Sequence, residues 1–218
     1  MRIAIAGAGN VGRAIARELL DNGHQVLLID KDPKALKLES VPDAEWLMAD
    51  ACEITSLDNA HLNNCQVLVA ATGDDKANLV TSLLGKTEYG VPRVVARINH
   101  PKNEWLFDSS WGVDVAVSTP RIISALVEEA VSVGDVVRLF SFRKGQANLV
   151  ELTLPDGSAC IGKTVEEIEL PENAALAAIV RDGRVITAQA HDVFAAGDEL
   201  LFVASADAET HIKACFIS

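Results

Sequence analysis

The strand-like run Arg2–Ala6 leads directly into Gly7-Ala8-Gly9-Asn10-Val11-Gly12, and that glycine pattern opens an amphipathic segment. A G-x-G-x-x-G alone is weak, but here it follows a strand and begins a helix, and Asp30 closes the next apolar run 18 residues past Gly12. Each glycine has its own reason in this setting. Gly7 allows a tight turn, Gly9 removes a side chain where a phosphate must approach, and Gly12 lets helix and strand pack closely. The helix start that follows presents N–H groups with no intrahelical partner and the positive end of the dipole. Val11, Ala14, Ile15, Leu19 and Leu20 recur at helical spacing, while Arg13, Arg17, Glu18 and Asp21 fall mainly on the other side.

The pattern continues along the first 118 residues. Short apolar runs at 2–6, 25–29, 45–48, 66–70, 93–97 and 113–117 alternate with helical patterns at 11–22, 33–39, 54–60, 76–89 and 102–109. Runs apolar on both faces are what a buried parallel sheet requires. The expectation is an α/β fold, a doubly wound six-stranded sheet in the order 3-2-1-4-5-6. Thr119 is a candidate N-cap with Pro120 at the first helical position. Ile122, Ile123, Leu126, Val127, Ala130 and Val131 then form an apolar stripe that either covers a sheet edge or crosses to a second subunit. Beyond Gly134 the texture changes to strands, turns at Asp182-Gly183 and Gly197-Asp198, a short helix capped by Thr164 and a closing helix from Ser205 or Asp207. This is a small α+β module. The expected domains are 1–134 and 135–218.

In such a sheet, ligands lie at the carboxyl ends of the strands, where the strand order reverses. Asp30 can accept hydrogen bonds from ribose hydroxyls, and a 2′-phosphate beside it would meet like charge, which favours NAD or an adenosine nucleotide over NADP. Lys31 weakens that exclusion slightly. Asp50-Ala51 falls where an adenine ring would lie, although Asp50 also reads as a helix N-terminal acid. Thr72 and Gly73 line the crevice, and Asp74 or Asp75 is explained by helix capping. Arg97, ending an otherwise apolar strand, is costly unless it meets an anion or an interface. Of the histidines, only His100 falls near the crevice; His24, His61, His191 and His211 have structural or exposed positions.

Charge and cysteine usage narrow the partners. Nineteen basic against 31 acidic residues give −12, so the basic footprint of a generic nucleic-acid binder is missing and anionic lipid would repel the chain. Cys52, Cys65, Cys160 and Cys215 form no C-x-x-C pair and no zinc spacing, as expected in a reducing compartment. No apolar run approaches the roughly 20 residues that span a bilayer, and the N-terminus reads as a strand rather than a signal peptide. The expectation is a soluble, cytoplasmic protein.

A dehydrogenase also needs a substrate pocket and a proton-transfer residue. The only tyrosine, Tyr89, is followed four residues on by Arg93, so a Tyr-x-x-x-Lys pair is absent. No triad or paired-carboxylate motif stands out. An NAD-dependent oxidoreductase with a small substrate domain is the alternative reading. A redox-sensing transcription factor is disfavoured by the acidic charge. The expected role is not enzymatic: the nucleotide is a regulatory ligand.

Taken together, Gly7–Gly12, Leu28-Ile29-Asp30-Lys31-Asp32-Pro33, Ala49-Asp50-Ala51, Ala71-Thr72-Gly73-Asp74-Asp75-Lys76-Ala77-Asn78 and Val95-Ala96-Arg97 resemble the TrkA/KtrA family. These are the KTN (RCK) regulatory subunits of bacterial potassium-uptake systems. Ile161-Gly162-Lys163-Thr164, Ala178–Arg181 and Ala196-Gly197-Asp198-Glu199-Leu200 resemble the family's C-terminal TrkA-C (RCK-C) module. The resemblance implies a regulatory subunit gating a separate membrane potassium transporter or channel in response to NAD(H), ATP or ADP. Its location would be cytoplasmic, at the inner face of the membrane through that partner. It implies homodimers joined through the helix Pro120–Val133 and assembled into a ring, often an octamer. Carried over, Gly7, Gly9, Asn10, Val11 and Gly12 hold the phosphates, Asp30 and Lys31 the adenosine ribose, and Asp50 and Ala51 the adenine. Thr72, Gly73 and Arg97 face the distal half. ATP-responsive relatives tend to carry arginine where this chain has Asn10, which leans the choice towards NAD(H), with Arg13 or Arg97 able to compensate. Cys52 replaces a commoner threonine. Some relatives bind cyclic di-AMP at the C-terminal module, for which Arg181 is the candidate residue here.

Overall fold

A computed structural model describes residues 1–131, 133–142 and 147–217. The chain divides into two compact units, Met1–Pro120 and Arg121–Ser218.

In the first unit, strands β1 (Arg2–Ala6), β2 (Gln25–Asp30), β3 (Glu45–Met48), β4 (Val67–Ala70), β5 (Arg93–Ile98) and β6 (Val115–Ser118) form one parallel sheet in the order β3-β2-β1-β4-β5-β6. This is the expected order. Helices α1 (Asn10–Asp21), α2 (Ile54–Asn59) and α3 (Asp75–Thr87) alternate with the strands. Successive residues of a strand point to opposite faces, and in β1, β2 and β4 both faces are buried. Ala4, Ala6, Leu27, Ile29 and Leu68 pack with Leu57, Ala60 and Leu62 on one side. Ile3, Ile5, Val26, Leu28 and Val69 pack with Ala16, Ile15 and Leu19 on the other.

Two expected helices do not form. Residues 33–39 make turns and a single 3-10 turn at Leu38–Ser40, because Asp32 accepts the Lys34 N–H at 2.9 Å and offers the backbone a local alternative to a helix. Residues 102–109 are two 3-10 turns, Pro101–Leu106 and Ser109–Trp111. They are separated by Asp108, whose carboxylate accepts the Ser110 N–H at 2.8 Å and restarts the chain. On α1, Arg13 is buried rather than on the solvent side, because its guanidinium turns back beneath the glycine loop. Val11 and Ala14 are exposed instead.

Helix α4 (Thr119–Val131) starts one residue earlier than expected, at Thr119 itself. Ile122, Ile123, Leu126 and Val127 are exposed. Ser132 and the side chains of Ala130 and Val131 lie outside the described residues.

The second unit carries an antiparallel sheet of β7 (Val136–Ser141), β8 (Asn148–Thr153), β9 (Ala174–Arg181), β10 (Arg184–Ile186) and β11 (Glu199–Ala204), in the order β10-β9-β11-β8-β7. Helix α5 (Ala206–Phe216) covers one face. Its Phe216 meets Phe194 edge-on at 5.4 Å and Phe202 at 5.6 Å, with Ser205 at the N-cap position. The expected Thr164 cap is present as a reciprocal box with Glu167.

Candidate functional site

Parallel strands β1, β2 and β4 end together at the point where the strand order reverses, and a cavity of about 520 Å3 opens there. It lies wholly within the first unit. Its floor is the glycine loop. Gly7 has φ +104°, and a Cβ there would lie 2.8 Å from the Thr72 nitrogen. A Cβ on Gly12 would lie 1.9 Å from the Gly7 carbonyl oxygen, so helix and loop touch backbone to backbone. Nothing lies within 4 Å of a Cβ built on Gly9, which faces open space.

Gly9 is also the N-cap of α1 and supplies no side-chain cap. The first intrahelical bond runs from the Arg13 N–H to the Gly9 carbonyl at 3.0 Å. The N–H groups of Asn10, Val11 and Gly12 therefore precede the helical ladder. They are donors, and an anion is their natural partner.

The opposite wall accepts hydrogen bonds. Asp30 receives the Ala8 N–H at 2.7 Å on one oxygen and the Asp32 N–H at 2.9 Å on the other. Each oxygen keeps acceptor capacity for a hydroxyl in the cavity. Lys31 bonds Asp50 at 3.0 Å. The Asp50 carboxyl is held below its ordinary range first by the Cys52 N–H and then by Lys31. Lys31 is raised in turn by its bond to Asp50. Burial pushes the Cys52 thiol up, so it stays protonated, with Sγ 3.8 Å from the Ala77 carbonyl and 3.9 Å from the Thr81 hydroxyl.

The far wall is the loop after β4 and the end of β5. Thr72 and Gly73 line it with Asp74, which caps α3 by accepting the Lys76 N–H at 2.8 Å. Arg97 lines the same wall, and among the described residues its buried Nε has no hydrogen-bond partner. Asp75 faces away from the cavity as a buried clamp. It accepts the N–H groups of Asn99 at 2.6 Å and His100 at 3.0 Å, and the Asn103 amide at 2.8 Å.

Eleven of the twelve expected site residues line this one cavity: Gly7, Gly9, Asn10, Val11, Asp30, Lys31, Asp50, Ala51, Thr72, Gly73 and Arg97. Gly12 lies behind the loop. His100 is not among the lining residues; its backbone N–H bonds Asp75, away from the cavity. Ala77 and Thr81, which are not among the expected site residues, lie one turn apart on α3 and also line the cavity wall. Their four-residue spacing is the signal that could have found them. In the second unit, Arg181 grips the fully buried Asp198 through bonds of 2.6 and 2.8 Å and also donates to the Val193 carbonyl at 2.8 Å.

Chemically, the cavity sets donors against acceptors. Backbone N–H groups and a guanidinium suit phosphate oxygens, and a carboxylate at the end of β2 suits sugar hydroxyls. No group of three or more His, Cys, Asp or Glu among the described residues could hold a metal ion.

Fold and cavity define a doubly wound domain with a glycine-floored crevice, followed by an antiparallel α+β module. The TrkA-N domain family matches residues 3–119 and the TrkA-C domain family residues 149–214. The chain belongs to the TrkA family. It is 56% identical over 213 residues to the Trk system potassium uptake protein TrkA of Mycobacterium tuberculosis, covering 98% of this chain and 97% of that one. Among solved structures, the GsuK channel bound to NAD superposes with a TM-score of 0.66 at 17% identity, over 98% of this chain and 39% of that one. GsuK bound to ADP matches at 26% identity with a TM-score of 0.51, over 59% of this chain and 34% of that one. The chain thus spans well under half of these channel polypeptides.

Proposed function

We propose that this chain is a cytoplasmic regulatory subunit that senses a nucleotide in the crevice and thereby gates a separate membrane potassium transporter or channel. The observation that carries the reading is the uncapped start of α1 on the cavity floor, where the Asn10 and Val11 N–H groups precede the helical ladder, with Asp30 on one wall and Thr72, Gly73 and Arg97 on the other. Backbone N–H groups at a helix start and a guanidinium side chain on the far wall fit an anion, and the open space at Gly9 lets one approach. A nucleotide carries both the phosphates and the ribose hydroxyls that these walls complement.

In this reading Gly7, Gly9, Asn10 and Val11 contact the phosphates, and Gly12 keeps the helix start pressed against them. Asp30 and Lys31 take the adenosine ribose, Asp50 and Ala51 the adenine, and Thr72, Gly73 and Arg97 the distal half. NAD(H) is the foremost ligand, with ATP and ADP as the others. Support for adenine nucleotides comes from the ADP-bound channel structure at 26% identity. The name of the Mycobacterium relative supports potassium uptake as the process. Among the described residues, no helix is long and apolar enough to cross a membrane, so in this account the pore is another chain.

A regulatory role, rather than catalysis, fits the lining. Among the described residues, no histidine or tyrosine lines the cavity. Its acids Asp30, Asp50 and Asp74 each hold backbone N–H groups, and its one thiol is held protonated.

The exposed face of α4 fits a second copy of the chain. The functional division then places this helix with the nucleotide domain as 1–134, leaving 135–218 as the coupling module. Dimers of this kind assemble into a ring whose geometry the nucleotide biases. A ligand shifts such an equilibrium only by binding its states with different affinity. Cyclic di-AMP at the second module has a weaker basis, since Arg181 already holds Asp198.

Calorimetry with NADH, NAD, ATP and ADP on wild type and Asp30→Ala tests the reading. Saturable binding that weakens on the order of tenfold or more in the variant is expected, the scale of lost hydrogen bonds to a charged group. Unchanged binding would remove the ribose assignment. Turnover of nicotinamide absorbance with any metabolite would turn the reading towards an oxidoreductase.

A further inference from the structure

Arg13 is only 8% exposed, yet all its partners are neutral. Its guanidinium donates to the Ala8 carbonyl, to the Ala35 carbonyl at 3.3 Å and to the Asn10 side-chain oxygen at 2.7 Å. Among the described residues it forms no ion pair with a carboxylate. A buried charge without a counterion is costly, and an anion nearby reduces the cost. The bond to Ala8 places this charge under the glycine loop that floors the cavity.

The bond to Asn10 adds a second consequence. An arginine can only donate, so the amide oxygen of Asn10 must be the atom facing it. The amide NH2 is then the part of this exposed, cavity-lining side chain left for a ligand. Asn10 is thereby held as a donor rather than an acceptor.

We propose that Arg13 is a positioning residue that selects phosphate charge. It fixes Asn10 with its NH2 group available to the cavity and places an uncompensated positive charge beneath the loop. The site then favours a nucleoside diphosphate group over the neutral nucleoside. The inference rests on the crevice being a nucleotide site and names what gives that site its preference for charge.

The test measures binding of ADP, AMP and adenosine by calorimetry to the full-length wild type, Arg13→Gln, Arg13→Lys and Asn10→Asp, with a thermal melt of each. Arg13→Gln is expected to weaken ADP on the order of tenfold or more, with adenosine changing less than about threefold. Arg13→Lys restores part of the loss because it restores the charge. Asn10→Asp sets a carboxylate against the guanidinium; it melts no lower than wild type and loses ADP as Arg13→Gln does. Because a carboxylate at position 10 also repels phosphate directly, Arg13→Lys decides the matter if Arg13→Gln does not fold: a larger loss for ADP than for adenosine is expected, and equal losses overturn the proposal. Unchanged ADP affinity in the folded variants, or equal losses for ADP and adenosine, overturns the proposal. A wild type that binds none of the three overturns the nucleotide reading, and this inference with it.

Discussion

Asn78, fully buried on α3, donates from its side-chain amide to the main-chain carbonyl of Arg97 at 2.8 Å. The same amide accepts the Thr72 N–H at 2.9 Å and the Thr72 hydroxyl at 2.6 Å. One side chain therefore ties the β4–α3 loop to the end of β5, and it does so beside the cavity wall that carries Arg97. Asn78→Leu keeps the volume and removes the side-chain partner of the Arg97 carbonyl and the Thr72 N–H, while the Thr72 hydroxyl keeps its bonds to the Asp74 backbone. It is expected to destabilise the first unit by about 2–4 kcal/mol in urea unfolding. Nucleotide affinity falls with it, because Thr72 and Arg97 are no longer held in register.

Two glycines of one motif should behave oppositely. Gly9→Ala has empty space around the new methyl group and no positive φ to strain. It should unfold within about 1 kcal/mol of wild type while losing nucleotide binding. Gly12→Ala drives a methyl group into the Gly7 carbonyl, so it should lose at least about 1–3 kcal/mol from overpacking or fail to fold. Denaturant midpoints and ligand titration on both variants separate the two cases.

Asp75 carries the clearest pH signature. Burial pushes its carboxyl up, but the N–H groups of Asn99, Asn103 and His100 outweigh burial and hold it below the ordinary 3.8. A depressed folded value means its stabilising contribution is fully present above about pH 4 and is lost as pH falls through the folded value. The gap in urea midpoint between wild type and Asp75→Asn should stay constant from pH 7 to about pH 5 and shrink only below the ordinary carboxylate range. A gap that closes near neutrality would contradict this account.

The α4 face offers a prediction about assembly. Ile123, Leu126 and Val127 are 56%, 52% and 58% exposed and lie on one side of the helix. In the proposed assembly this apolar face is the contact with a second copy of the chain. Ile123→Glu with Leu126→Glu should shift sedimentation towards the monomer at micromolar concentration. The melts of the two units should be unchanged, since neither side chain is in a core.

The fold was legible wherever burial on both strand faces repeats in the sequence. Ile3, Ile5, Val26 and Leu28 alternate with Ala4, Ala6, Leu27 and Ile29, and each set found its own helix layer. Short polar-capped stretches were not legible. At Asp32 and Asp108 a side chain captures a backbone N–H two residues on, and that local bond outcompetes the weak helical pattern. The glycine loop and Asp30 declared themselves through spacing. The four-residue spacing of Ala77 and Thr81 puts them on one helix face, but the docking of α3 against β4 and β5 is what turns that face to the cavity. Arg13 looked like a solvent-facing residue because helical periodicity does not foresee a side chain folding back under the preceding loop.

The most direct measurement is potassium uptake in cells lacking this chain and supplied with either wild type or Gly9→Ala at matched protein levels. The variant should remain folded and assembled, lose nucleotide binding, and leave uptake unresponsive to changes in cellular NADH and ATP that modulate it with wild type. Uptake that follows the nucleotide pool equally in both cells, with binding lost in the variant, would contradict sensing at this crevice.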